Sequence, residues 1–334
     1  MMAADAVREF IDQINAISNG DRVDVLINST GGDPLTAWKL MSLLRERFSN
    51  VAVLVPYMAF SAATIFALGA DEIVMHPHAS LGPIDPQINM QQADGTMRHF
   101  AYEDVGAFLR FLGSDVKISE QAHVSSVVER LFTVVDPVNV GAAKRASELS
   151  ADIGERLLLM HMTGEDDKGR ARQIAENLNK SFFAHGDAVS RRRAKELQLK
   201  IAEEDHELEA LIWNAYAGLE DFMLLRKPWV PLHTYLSDAT AAASLRPVGP
   251  LRLPTDTPPQ VAQQIWNGVV TQAVQNANSA AVEVPFSLLF GICESVRLAS
   301  EFRSEGRLSA TIQANGDIKL NIIETASGWK NLDS

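Results

Sequence analysis

An α/β fold with a parallel sheet covered by helices is what the amino-acid sequence predicts for the first half of the chain. Three observations carry that prediction. Apolar runs of strand length, VDVLI (23–27), NVAVLV (50–55) and EIVM (72–75), alternate with segments of helix length. The first run ends in a Gly-Gly turn and the second in a serine among small residues, as crossovers from strand to helix require. Apolar residues make up 46% of the 334 and charged residues 22%, the balance of an ordinary globular chain long enough for more than one core.

Each element follows in order. MMAADAVREFIDQINAI reads as an amphipathic helix with acidic residues and lacks the basic-then-apolar layout of a signal peptide. The strand Val23–Ile27 enters Gly31-Gly32, and LTAWKLMSLLRERF reads as the helix after it. NVAVLVPY is the second strand, SAATIFALGA a short helix, DEIVMHP the third strand and HASLGPIDPQI a loop. The twenty residues from Val51 to Ala70 hold no charge and have the length to span a bilayer. Pro56 and the acidic flank Asp71-Glu72 instead divide them into a buried strand and a buried helix, so no integral membrane segment is expected.

Residues 91–136 read as an insertion of mixed helical and polar sequence. A long amphipathic helix is expected from Asn139, a second in GRARQIAENLNKSFF, and a turn in AHGDAVSRRRAKELQLKI. A helical stretch continues to Leu225, and LRPVGPLRLPTDTPP is dense enough in Pro and Thr to be a linker. Helices are expected from Pro259 to about Asn278 and around Phe286 to Arg303. The chain then closes on two alternating runs joined by Asn315-Gly316, a strong hairpin signal. Two domains follow: 1–205, carrying the insertion, and 206–334, a helical extension ending in the hairpin.

The formal net charge of −12 argues against a nucleic-acid partner, since binding its phosphates needs clustered Lys and Arg. No group of His and carboxylates has metal-ligand spacing, and neither a metal nor a cofactor is called for. The lone Cys293 rules out an internal disulfide and, with the absence of a leader, points to the cytoplasm.

Chemistry is concentrated at two turns. Gly31 and Gly32 follow a strand and open a helix, so their amides are free to face an anion. Ser61 opens a helix of small residues on the neighbouring strand. The Gly-Gly amides and that of Ala62 are then set to hold an oxyanion beside the serine hydroxyl. Ala62 and Ala63 leave room for a substrate carbonyl.

The motifs VDVLINSTGGDPLTAWKLMSLLRER, VAVLVPYMAFSAATIFALGADEIVMHPHASLGPIDPQI and AHGDAVSRRRAKELQLKI resemble the serine dehydrogenase proteinase family. That family belongs to the Clp-protease and crotonase superfold, with signal peptide peptidase A as a relative. The resemblance implies a Clp/crotonase-like core and a serine peptidase with Ser61 as nucleophile and Gly31, Gly32 and Ala62 as oxyanion donors. For the general base, Asp85 stands where Clp peptidases carry histidine, and His76 and His78 come earlier. Lys144, in VNVGAAKRASEL, stands where the signal-peptide-peptidase-like relatives carry a lysine, which makes a Ser-Lys dyad the favoured reading. His185, in AHGDAVS, is the alternative. A peptide or protein substrate and a homo-oligomer are implied by resemblance, and the terminal hairpin is a candidate edge for a partner chain. A non-catalytic scaffold of the same fold, or a crotonase-like acyl-thioester enzyme, are the other function classes.

Overall fold

Short acceptor side chains start several of the helices, and apolar strands between them build the sheet. The computed structural model describes residues 2–18, 20–91, 96–180, 188–245, 252–279, 282–312 and 317–332. They fall into two units, Met1–Leu219 and Glu220–Ser334.

The first unit begins with helix α1 (Ala6–Ala16), strand β1 (Arg22–Leu26), helix α2 (Pro34–Arg45), strands β2 (Asn50–Val55) and β3 (Met58–Ala59), helix α3 (Ala62–Leu68), and strands β4 (Glu72–Met75) and β5 (Ser80–Leu81). It continues with strands β6 (Gln87–Gln91) and β7 (Met97–Ala101), and helices α4 (Tyr102–Ser114), α5 (Gln121–Phe132), α6 (Pro137–Leu158) and α7 (Asp167–Lys180). Strand β8 (Val189–Ser190) and helices α8 (Arg191–Glu196) and α9 (His206–Phe222) follow. Thus β7, α4 and α5 fill most of the segment 91–136.

Asp33 shows how a helix is started. Its carboxylate accepts from the N–H groups of Leu35 (3.2 Å) and Thr36 (2.9 Å), while Pro34 takes the first helical position, where no N–H is needed. The pair Asp136-Pro137 repeats the device at α6, with Val138 N–H donating to Asp136 at 2.8 Å.

Strands β1, β2 and β4 form a parallel sheet in that order, with Val23 opposite Val51, Val25 opposite Val53, and Val53 opposite Ile73. The middle strand is buried on both faces, including Val51, Ala52, Val53 and Val55. A sheet covered on both sides selects an unbroken apolar strand of this kind. Helices α2, α3 and α6 pack on one another and contribute Met41, Leu44, Phe66 and Leu157 to the core. The uncharged stretch Val51–Ala70 is therefore β2, β3 and α3. Among the described residues no helix is long and apolar enough to cross a membrane.

An ion pair locks the turn between α3 and β4. Arg45 meets Asp71 at 2.6 Å and donates to Gly69 O at 2.6 Å, and Val51 N–H donates to Asp71 at 2.7 Å. Burial pushes the Asp71 carboxyl up, but the Val51 N–H and the Arg45 guanidinium outweigh it and hold the group below the ordinary carboxylate value. His161, after α6, is bonded through Nε2 to Leu68 O at 3.0 Å. Its burial keeps the imidazole below its ordinary value, against the opposing effect of that bond.

A second, small sheet sets the site. In it β3 pairs parallel with β5, and β5 antiparallel with β8, so that Ala59 faces Leu81 and Leu81 faces Val189.

The second unit holds helices α10 (Pro231–Ser237), α11 (Ala239–Ser244) and α12 (Pro259–Ser279), then strands β9 (Val284–Glu294), β10 (Ala299–Ile312) and β11 (Ile318–Leu332). The three strands form an antiparallel sheet with β10 in the middle. Residues Phe286 to Arg303, expected as a helix, are β9, its turn and the start of β10. Pro285 and Gly291 disfavour a helix there. Val284 and Phe286 point together into a small core with Tyr235, Leu308 and Ala310, which is a two-residue period. The Asn315-Gly316 turn lies outside the described residues, and Ile312 and Ile318 on either side of it are paired.

Candidate active site at Ser61

Ser61 sits between the end of β3 and the first residue of α3, with φ 52° and ψ −118°. A residue with a Cβ pays strain in that region, of order 1–3 kcal/mol, and persists there only where its surroundings dictate it. The surroundings here are backbone. Phe60 N–H donates to Ser29 O at 3.0 Å, and Ser29 N–H to Met58 O at 3.0 Å. Met58 N–H is taken by Asn28 Oδ1 at 3.2 Å. Ala63 N–H closes the turn on Phe60 O at 3.0 Å. The polar stretch Asn28-Ser29 between β1 and the Gly-Gly turn thus holds the strand that ends in the serine. Sequence reasoning did not single these two residues out, although a polar pair after an apolar strand is the signal that marks them.

The Gly-Gly turn lies against the serine. A Cβ at Gly31 would sit 2.7 Å from Phe60 O, 2.8 Å from Ser61 Cβ and 3.3 Å from Ala62 N, and Gly31 has φ 112°. No other residue type fits so close an approach. The two glycines have different tasks. Gly31 is buried, and its N–H is bound by Ser29 Oγ at 3.1 Å. Gly32 is exposed. A Cβ there, at φ 147°, would meet Met2 O at 2.1 Å. Met2 pairs with the turn through its N–H to Gly31 O (2.7 Å) and its carbonyl from Asp33 N–H (2.8 Å). Among the described residues nothing accepts from the N–H groups of Gly32 or Ala62, and no side chain bonds the Ser61 hydroxyl.

The remaining candidates lie as follows. Lys144 is on the outer face of α6, 55% exposed and 3.7 Å from Glu148. One residue earlier, Ala143 faces the core with Ser147, Ser150, Gly154 and Leu157. A helix turns about 100° per residue, so Lys144 leaves that face. His185 lies outside the described residues. His76 is buried, stacks on Trp213 with centroids 4.8 Å apart, and accepts from His78 N–H through Nδ1 at 3.1 Å. Burial and then the neighbouring His78 keep its imidazole below the ordinary value. Among the described residues no three His, Cys, Asp or Glu side chains could hold a metal ion. A serine at such a turn, packed against a glycine and followed by an N–H without an acceptor among the described residues, has the local features that nucleophilic attack on a carbonyl requires.

Comparison with known proteins finds similarity over the part of the chain that holds Ser61. Residues 1–108 match the family model of the ClpP-like SDH-type serine proteinases. Two uncharacterized proteins of Methanocaldococcus jannaschii, MJ0137 and MJ1495, are each 26% identical to the chain, over 193 and 179 residues. The matches cover 58% and 54% of the chain. They cover 58% and 51% of the two relatives, so the chain spans about half the length of the curated relatives it matches. Two solved structures of the 1510-N membrane-bound stomatin-specific protease also align. One is a serine-to-alanine mutant, and the other is a lysine-to-alanine mutant in complex with a substrate peptide. Each alignment covers 62% of this chain at a TM-score of 0.36, with 15% and 14% identity over 77% and 74% of the other chain. The segment that matches the ClpP-like SDH-type serine proteinases, residues 1–108, is the one that holds the Gly-Gly turn and Ser61.

Proposed function

We propose that this protein is a serine peptidase that cleaves peptide bonds through an acyl-enzyme on Ser61. One observation carries the reading: a serine held at φ 52° and ψ −118° with the buried Gly31 packed against its Cβ. Ser61 Oγ attacks the scissile carbonyl carbon and gives up its proton to a base. The carbonyl oxygen becomes an oxyanion that accepts from Gly32 and Ala62 N–H. Collapse breaks the C–N bond as the amine leaves with a proton, and water then hydrolyses the ester. Removing one donor of such a pair slows the reaction by about 100- to 1,000-fold. Gly31 contributes the close approach rather than its N–H, which Ser29 already uses.

By resemblance the base is Lys144, with His185 the alternative. Lys144 stands in solvent beside Glu148, and a lysine takes a serine proton only after losing water and counter-charge. The dyad therefore requires an arrangement in which the outer face of α6 is covered. The homo-oligomer, the peptide or protein substrate, the cytoplasmic setting and a partner at the terminal hairpin are parts of the same resemblance-based reading.

Labelling with a fluorophosphonate probe tests the proposal on wild type, Ser61→Ala and Lys144→Ala. Loss in the Ser61 variant and a drop in the Lys144 variant support the dyad. Loss at Ser61 alone moves the base to His185 or another group. A folded wild type that resists labelling refutes the peptidase reading and leaves a scaffold of the same fold, which the solvent-facing Lys144 would then suit.

A further inference from the structure

Thr64 lies three residues beyond Ser61 in α3 and is wholly buried. A helical threonine ordinarily bonds back to the carbonyl four residues earlier. That carbonyl, on Phe60, is taken instead by Ala63 N–H at 3.0 Å. Thr64 Oγ1 reaches one residue further, to Ala59 O at 2.6 Å, the last residue of β3. The same oxygen accepts from Gly82 N–H at 3.0 Å and lies 2.9 Å from Gly82 O. Gly82 N–H also approaches Ala59 O at 3.2 Å. A hydroxyl has one proton to donate and lone pairs to accept with, so this position uses both capacities.

The bonds tie three segments together: the end of β3, the first turn of α3 and the residue after β5. Between them stands Phe60, the residue before the serine. Gly82 presses on it, since a Cβ there would lie 3.0 Å from Phe60 Cδ1 and 3.1 Å from its Cα. Ser29 holds Phe60 from the opposite side through the N–H bond described above. Ser61 O accepts from Ile65 N–H at 3.0 Å, a bond of the helix that follows it, and on the strand side the hold comes from these neighbours.

We propose that Thr64 is a positioning residue for Ser61: its hydroxyl clamps Ala59 to Gly82 and so keeps the serine in its strained conformation. This rests on the reading of Ser61 as nucleophile. Thr64 does not touch the reacting atoms and acts through the backbone of residues 59–61. Misplacing a nucleophile by about 1 Å slows attack by up to about 100-fold.

The test compares fluorophosphonate labelling of full-length wild type, Thr64→Val and Thr64→Ser, with the maximal labelling rate separated from the apparent probe affinity. Valine keeps the shape and removes the hydroxyl, whereas serine keeps the hydroxyl and removes a methyl. The expected result is a maximal rate about 10- to 100-fold lower in Thr64→Val with probe affinity little changed, and most of the rate retained in Thr64→Ser. Equal rates in Thr64→Val and wild type overturn the proposal, as does a Thr64→Ser variant as slow as the valine one, which would make packing the cause. If the valine variant does not fold, Thr64→Cys against Thr64→Ser supplies the same contrast, because a thiol is a weak donor. A wild type that is not labelled removes the Ser61 reading and this proposal with it. A labelled wild type with an unaffected Thr64→Val removes this proposal alone.

Discussion

Replacing Ser61 by glycine should stabilise the protein while abolishing its reactivity. The reason lies in the backbone: φ 52° and ψ −118° place a Cβ where it crowds the chain. Relief of that strain is worth of order 1–3 kcal/mol. Glycine gives back about 0.5–1 kcal/mol through the greater freedom of the unfolded chain. The Ser61 hydroxyl has no partner among the described residues, so little else is lost. The net expectation is a gain of up to about 2.5 kcal/mol, or up to roughly 10 °C in Tm for a unit of 150–250 residues. Ser61→Ala is the control, since it removes the hydroxyl and keeps the Cβ, and its Tm should stay at that of wild type. Calorimetry of the three proteins, with urea unfolding as a second probe, decides. A Ser61→Gly variant that melts at or below Ser61→Ala would refute the claim that strain is stored at this residue, and with it the observation on which the peptidase reading rests.

Two further outcomes are expected. Gly31→Ala forces a Cβ to within 2.8 Å of Ser61 Cβ and 2.7 Å of Phe60 O at φ 112°. Strain and overpacking together should cost about 2–5 kcal/mol, and labelling at Ser61 should be lost even in molecules that remain folded; urea midpoints and labelling rates check both. Stability should also fall in mild acid. His76 and His161 are held below the ordinary imidazole value in the folded chain, so as pH drops below about 6.5 the unfolded chain takes up protons that the folded one refuses. Their contribution is intact above that pH and shrinks below it. His76→Phe, which keeps a ring against Trp213 but does not titrate, should lose less of its urea midpoint than wild type between about pH 7.5 and about pH 5.5. An equal loss would show that His76 is not among the groups responsible.

Part of this protein is written in local chemistry and could be read from it. The strand before Gly31-Gly32, the helix started by Asp33-Pro34, the buried run of β2 and the serine before two alanines follow from turn preferences, caps and apolar periods, which act within a few residues. The pattern also sets Ser61 at the turn into a helix of small residues, which is where the fold has it. Where two periods competed the reading went astray: the apolar run from Phe286 suits a helix by composition, and its packing on Tyr235 and Leu308 makes it strand. Other matters lay beyond any local rule. Gly31 and Gly32 look alike in the sequence, yet the Ser29 hydroxyl occupies one N–H and leaves the other. Lys144 stands one residue from the buried Ala143, and a step of about 100° around α6 turns it from the core to solvent. Thr64 is an ordinary helical threonine until Gly82, eighteen residues on, comes within reach of its hydroxyl. Spacing along the chain decides which residues are neighbours on an element. Only the folded chain decides which donors are already spent, which side chains keep their water, and which backbone is held under strain.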